Sequence, residues 1–368
     1  MRIAIVLNTS WNIYNFRKGL VESFLKNDNE VHTIAPHDAY SEKLEELGCI
    51  HHDVKMDSRG VNPIKDILLT MELLGIYRKL KPDVILHYTI KPNIYGTIAA
   101  SVLKIPVINN VCGLGTVFLD KNLASKIAIE LYRFAFRLPK KVFFQNNDDL
   151  TLFRRKKIVS SDICEVLPGS GIDLEKFKPS KKNKKKVFTF LVISRLIYDK
   201  GIVEYVEAIR KLKSKGIEAD FQLLGSIDEK HRRGIPKDVI DQWISSNTIN
   251  YLGTRSDVRE IIEGSDCVVL PSYREGTPKT LLEAASMAKP LIATNVPGCN
   301  NIVEHQKNGF LCKLRDSDDL AEKMEMMFNS NDENLLNMGK LSRMKVEQEF
   351  DESIVIDKYH NSINSILK

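Results

Sequence analysis

What the sequence lacks narrows the field first. No apolar run approaches the 18 residues that a membrane-spanning helix needs. Met1 to Leu7 is apolar but too short for the core of a secretion signal, so it reads as a first strand. The six cysteines (Cys49, Cys112, Cys164, Cys267, Cys299 and Cys312) include no C-x-x-C pair, and several sit in apolar runs. Reduced, buried thiols in a cytoplasmic protein fit that pattern better than a disulfide framework. No G-x-G-x-x-G follows the first strand, which disfavours a dinucleotide oxidoreductase. There is no D-x-D pair in a suitable loop and no His/Cys cluster at ligand spacing, so no metal is expected. The net charge is only +6. Much of it lies in one linker, with no recognition motif or stacking platform beside it, so no nucleic-acid partner is expected.

What is present describes a two-domain α/β protein. A chain of 368 residues is too long for one ordinary core, and 43% apolar with 28% charged residues is usual for a globular protein. Strand-like segments at Arg2–Leu7, Glu30–Ala35, Val84–His87, Pro106–Val111, Lys141–Gln145 and Cys164–Leu167 alternate with helical stretches. The helical ones include Phe16–Leu25, Tyr40–Leu47, Pro63–Leu80, Tyr95–Leu103 and Leu123–Phe136. Further strands at Val187–Ile193, Phe221–Leu224, Ile249–Leu252, Cys267–Leu270 and Leu291–Ala293 repeat the alternation. Such an order predicts parallel sheets covered by helices on both faces. The lysine-rich run Lys178–Lys186 reads as a solvated connector. The predicted domains are therefore 1–178 and 179–351, followed by a final helix over 352–368.

The most informative stretch is Asp266–Glu283, DCVVLPSYREGTPKTLLE. Cys267 to Leu270 is a buried-strand run. Thr277 is a good N-cap and Pro278 suits the first helical position. The amides of Lys279 and Thr280 then face out at the positive end of the helix dipole, where phosphate binds readily, and the Lys279 side chain adds a full charge. Glu275 and Gly276 precede that helix at the carboxyl end of a strand, where open α/β sheets bind ligands. Glu283 lies less than two turns further on, within reach of a hydroxylated ligand part. The bland alternative is a capped helix with Glu283 on a solvated face. Ser194-Arg195-Leu196-Ile197-Tyr198-Asp199-Lys200-Gly201 follows another strand, and its Arg and Lys are placed to clamp a diphosphate. The alternative there is an ordinary charged surface loop. Tyr251-Leu252-Gly253-Thr254-Arg255 ends a further strand in small residues that let a ligand approach the backbone.

These stations, with Val296-Pro297-Gly298-Cys299 and Asn308-Gly309-Phe310, resemble in type and order the GT4 family of retaining glycosyltransferases. Glu275 and Glu283 match its E-x7-E donor motif. The resemblance implies the GT-B fold, two Rossmann-like domains facing a central cleft, and a hexosyltransferase that uses a nucleotide-sugar donor. By that resemblance Glu275, Arg195 and Lys200 are catalytic. Glu283, Lys279, Thr280, Gly276, Thr277, Ser194, Thr254 and Arg255 bind the donor, and the final helix returns to the first domain.

The acceptor half is less direct. Asn8 to Arg17 has polar and aromatic residues where many family members have a Gly-rich loop. Tyr14, with Trp11 and Phe16, either stacks on a sugar or lipid head group or packs the following helix; Asn12 and Arg17 share the segment. His87 is either a base or sugar contact or a structurally satisfied histidine, and Lys91, facing the same region, is expected to hold an acceptor phosphate. Cys112 stands where many family members have a histidine, and Gly113 and Gly115 follow it. Similar Gly-Leu-Gly segments occur in members acting on polyprenyl-diphosphate sugars, so the resemblance implies a UDP-sugar donor and a lipid-linked sugar acceptor in polysaccharide biosynthesis. The basic, aromatic helix 121–141 either packs on its sheet or touches an anionic membrane surface at the cytoplasmic face of the inner membrane. Two competing readings are a UDP-sugar epimerase of the same architecture and a glycosyltransferase with a soluble acceptor.

Overall fold

β1 (Arg2–Val6) is buried over four of its five residues, and six more parallel strands extend from it. The computed structural model describes residues 1–57, 62–113, 123–180, 187–229 and 231–368. The chain divides into two compact units, Met1–Ser170 with Glu352–Lys368, and Gly171–Asp351.

In the first unit, β2 (Glu30–Ile34), β3 (Ile50–His52), β4 (Val84–Tyr88), β5 (Val107–Val111), β6 (Lys141–Phe144) and β7 (Cys164–Val166) join β1 in the order β3-β2-β1-β4-β5-β6-β7. Each strand pairs with its neighbours in parallel, with Val6 opposite His87 and Tyr88 opposite Asn110. Parallel strands need crossovers, and helices supply them on both faces. One face carries α1 (Ser10–Lys26) and the helix Glu352–Leu367; Ile5, Leu20, Phe24, Leu86, Tyr359 and Ile363 share that core. α2 (Ser41–Glu46) lies on this same face, its Leu44 in that core, while the other face carries α3 (Pro63–Leu80), a π-turn at Pro92–Gly96, α4 (Thr97–Val102), α5 (Leu123–Ala135) and α6 (Asn147–Arg155). α3 starts where sequence chemistry says it should. The Asn62 side chain accepts from the amides of Ile64 and Lys65 at 3.0 and 3.2 Å, and Pro63 fills the first position.

The second unit repeats the winding. β8 (Thr189–Ile193), α7 (Ile202–Ser214), β9 (Asp220–Leu224), α8 (Lys237–Ser245), β10 (Asn250–Tyr251), α9 (Arg259–Glu263), β11 (Cys267–Leu270), α10 (Lys279–Ser286), β12 (Leu291–Thr294), β13 (Gly309–Cys312), α11 (Ser317–Phe328) and α12 (Asp332–Glu349) follow in order. Its sheet runs β10-β9-β8-β11-β12-β13, so in both sheets the strand order reverses beside the first strand of the unit. The helix Glu352–Leu367, α13, then closes the first unit. Its Tyr359 hydroxyl accepts from Asn110 Nδ2 at 2.8 Å, and its ring meets Phe143 edge-on at 5.0 Å. Burial of Val355 and Ile363 stabilises that docking by roughly 1.5–3 kcal/mol each.

Three expectations need correction. The helix after β1 begins at Ser10, not Phe16, because the Thr9 hydroxyl accepts from the Asn12 amide at 3.1 Å and caps it. The edge strand β3 was not anticipated. Nor was β13, where the sequence suggested only a turn at Asn308–Phe310; Gly309 sits so close to β12 that a Cβ would lie 2.7 Å from the Leu291 carbonyl carbon.

Candidate functional site

In the second unit the loops after β8, β11 and β12 meet at the carboxyl end of the sheet. Gly201, at φ +68°, lets the β8 loop press on the β11 loop; a Cβ there would lie 2.7 Å from the Pro271 carbonyl carbon. Gly298 does the same for the β12 loop, where a Cβ would lie 2.7 Å from the Glu275 carbonyl oxygen. The Tyr273 amide donates to Asp199 O at 2.8 Å and the Glu275 amide to Pro297 O at 3.3 Å. These contacts bring Lys200 and Glu275 into an ion pair, both side chains mostly buried.

Around that pair the cations differ in their circumstances. Arg195 is exposed, and Ser194 Oγ donates to its carbonyl at 3.3 Å. Arg233 pairs with Asp199 at 2.7 Å and thereby holds the short helical turn Tyr198–Lys200. Tyr273 donates to Glu204 at 2.5 Å, while Arg315 lies 4.5 Å over its ring. Sequence reasoning missed Glu204, Arg233, Tyr273 and Arg315. Tyr273 lies inside the Asp266–Glu283 stretch and the other three outside any motif, and together they hold Asp199 and the β11 loop.

α10 begins one residue later than its composition suggests. Pro278 is the N-cap, with φ −72° and ψ 114°, and Lys279 is the first helical residue; Thr277 and Gly276 stay in the half-buried loop before it. The amides of Leu281 and Leu282 already bond back to Pro278 O at 3.1 and 3.3 Å. Thr280 ties this helix start to β8, its hydroxyl donating to Ile193 O at 3.2 Å. Glu283 is half-buried on α10. Burial pushes its carboxyl up to about 7, against the opposing pull of Lys279 and Lys176. Thr254 and Arg255 are exposed beside the end of β9, where the Gly225 amide donates to Gly253 O at 2.8 Å. So Arg195, Lys200, Glu275, Lys279, Thr280 and Glu283 share one sheet end, as the carboxyl-end rule for open α/β sheets requires.

The acceptor candidates are more scattered. Asn12 is on the first turn of α1. Tyr14 is half-buried, its ring 5.5 Å from Tyr40, with Lys43 over the Tyr40 ring. Arg17 is buried on the same helix. His87 is not a surface base. It is wholly buried, within 2.9 Å of the Tyr77 hydroxyl and 3.2 Å of Asn109 Oδ1, and burial pushes its ring down to about 3. A Cβ on Gly96 would lie 2.6 Å from its Nε2, so the helix layer is fitted against the ring. Lys91 is also taken: its ammonium lies 2.7 Å from the buried Asp66, which further accepts from Tyr95 at 2.9 Å. Both side chains are thus engaged within the unit, His87 as the structurally satisfied histidine that the sequence also allowed and Lys91 in a part-buried ion pair. Gly113 takes φ +125° after β5; Gly115 lies outside the described residues.

Comparison with known proteins bears on this arrangement. Residues 173–344 match the family model described as glycosyl transferases group 1, and residues 2–146 the one described as glycosyl transferase 4-like. The chain is 30% identical over 386 aligned residues to the N,N'-diacetylbacillosaminyl-diphospho-undecaprenol alpha-1,3-N-acetylgalactosaminyltransferase of Campylobacter jejuni, covering 100% of both chains. It is 27% identical to an Escherichia coli UDP-Gal:alpha-D-GlcNAc-diphosphoundecaprenol alpha-1,3-galactosyltransferase, over 82% of this chain and 80% of that one. Among solved structures, Anabaena HepE in complex with UDP and glucose superposes with a TM-score of 0.82 at 17% identity, covering 99% of this chain and 100% of that one.

Proposed function

Because the chain belongs to the group 1, GT4-like glycosyltransferases, with the GT-B fold, we propose a specific transfer as its reaction. An N-acetylhexosamine moves from a UDP-sugar to a polyprenyl-diphosphate-linked saccharide, with retention of anomeric configuration and without a metal ion. The observation that carries this reading is the meeting of Arg195, Lys200 and the start of α10 at the ends of β8 and β11. As the sugar leaves, negative charge grows on the diphosphate. Two preset cations and outward amides stabilise that charge more than they stabilise the bound donor. Glu275 orients the donor sugar through its hydroxyls while holding Lys200 in place, and Glu283 takes the ribose. With Glu275 already engaged by Lys200, the leaving phosphate rather than a side chain receives the acceptor hydroxyl's proton. The names of the two bacterial relatives support a lipid-linked acceptor, and the UDP in HepE supports a uridine donor. A panel of nucleotide sugars offered with lipid-linked acceptors, read by product mass spectrometry and anomeric NMR with and without EDTA, tests each part. Release of an epimerised UDP-sugar without any acceptor would replace this reading.

A lipid-linked acceptor brings the protein to a membrane surface, and no helix among the described residues is long and apolar enough to cross one. α3 instead exposes Ile64, Ile67, Leu68 and Met71, spaced i, i+3, i+4 and i+7, so they form one stripe. α5, packed like α3 against the π-turn, exposes Ile127 and Phe134 with Lys126, and just beyond it Leu138 is exposed with Arg137 and Lys140. Apolar side chains interleaved with cations suit an anionic lipid interface. Ile67→Asp with Leu68→Asp should leave the folded protein intact and release it from anionic vesicles in a flotation assay; undiminished flotation would refute this surface.

A further inference from the structure

In the first unit the strand order reverses between β1 and β4, and the groups at that point are unusual. Arg17 is 5% exposed, yet among the described residues the groups that act on its guanidinium are Cys112, Tyr88 and Tyr359, with no carboxylate. Nη1 donates to Phe16 O at 2.8 Å, Nη2 to Cys112 Sγ at 3.5 Å, and the plane lies 4.6 Å over the Tyr88 ring. Nε is buried with no partner. A buried cation left without an anion costs several kcal/mol of desolvation, which a neighbouring thiol and an aromatic face offset only in part. Thr89, one residue past β4, holds φ +63°, a conformation that a β-branched residue adopts only under constraint, and its hydroxyl is buried without a partner. Asn8, two residues past the β1 end that pairs with His87, has a buried side-chain oxygen in the same condition. Amide oxygen and nitrogen are interchangeable by a flip, so Asn8 can present its N–H groups instead.

We propose that Arg17, Thr89 and Asn8 form a binding site for a phosphate oxyanion in the first unit, and that its occupant is the diphosphate of the lipid-linked acceptor. The assignment of the occupant rests on the proposed function; the anion site itself does not. One oxyanion group satisfies all three at once, accepting from Arg17 Nε, the Thr89 hydroxyl and the turned Asn8 amide. It supplies the charge that Arg17 otherwise lacks. The position is the one where open parallel sheets take ligands, outside the carboxyl ends at the reversal of strand order. Charge-assisted bonds to a fixed, desolvated guanidinium are the strong kind, and the strained Thr89 backbone is a cost borne in the empty state.

Cys112, half-buried and touching Arg17, reports occupancy independently of catalysis. In the folded protein, geranyl diphosphate at about ten times its Kd should slow iodoacetamide labelling of Cys112 about tenfold, read by peptide mass spectrometry. Labelling of half-buried Cys164 should not change. Arg17→Met should abolish the protection, Arg17→Lys should keep part of it, and UDP-sugar binding by equilibrium dialysis should be unaffected in both. Where Arg17→Met fails to fold, Thr89→Val and Asn8→Leu serve in its place and should weaken protection. Protection by inorganic pyrophosphate but not by geranyl diphosphate would overturn the occupant and leave a free-phosphate site. No protection by either in the wild-type protein, or equal protection in Arg17→Met, would overturn the site. Loss of UDP-sugar binding in the wild type would instead count against the proposed function.

Discussion

The two sheets are wound alike, yet the cations at their reversal points are treated in opposite ways. At the end of β8, Lys200 is matched by a carboxylate of its own unit, Glu275. At the end of β1 and β4, Arg17 has a thiol, a carbonyl and a ring. The first arrangement is neutral when empty, so a ligand must share its cation with Glu275 and is held loosely enough to leave after reaction. The second is charged when empty, so it favours an anion that stays while chemistry happens elsewhere. A common topology thus fixes where a ligand goes, while the local charge balance decides how it is held.

Breaking the balanced side has the largest expected effect. Glu275→Ala and Arg195→Ala should each lower kcat by about 10²–10³, or roughly 2.7–4 kcal/mol, with unchanged far-UV circular dichroism. Near-normal turnover in either removes the proposed roles. His87→Ala should leave turnover per folded molecule intact while lowering unfolding free energy by about 2–4 kcal/mol, because it opens a cavity and strands the Tyr77 hydroxyl and Asn109. Urea unfolding checks the second part, and a selective loss of kcat would restore His87 to the chemistry.

Glu283 sharpens the comparison through pH. Its folded carboxyl binds a proton more tightly than its unfolded one, from an ordinary 4.5 up to about 7. Its contribution to stability is therefore full below pH 4.5 and lost as pH rises through about 7. Glu283→Gln should gain on the wild type over that window by roughly 1–3 kcal/mol, read from urea midpoints at pH 5 and pH 8. The ionised form is meanwhile favoured at the higher pH, so under the proposed ribose contact wild-type donor affinity should rise across the same range. Smallest of all, Tyr273→Phe frees Glu204 and should cost about 0.5–1.5 kcal/mol in stability, visible as a shifted urea midpoint.

The alternation of strands and helices was legible because parallel strands are buried on both faces and so read as apolar runs; β11 matched to the residue, Cys267–Leu270. The same property hid His87. In a strand buried over all five positions, the pattern does not say which face a side chain takes. The start of α1 was obscured by Arg17 itself. Ile13, Arg17, Leu20, Val21 and Phe24 form a regular buried face, but only if an arginine is counted as an inward residue. The ion pair of Lys91 was not legible because its partner, Asp66, lies on α3, and only the fold brings the two together. The grouping of residues at the strand ends of the second unit was readable because strand end, loop and helix start are consecutive in the chain. The residues that brace them come from other elements and leave no local signature.

The docking of α13 sets an order of manufacture. Tyr359, Val355 and Ile363 complete the core of the first unit, but they are synthesised after every residue of the second. On the ribosome, residues 171–351 can therefore reach their native state while the earlier-made unit still exposes the apolar face that α13 will cover. The unit translated first is finished last, and until then it is the part of the nascent protein most exposed to chaperones and proteases.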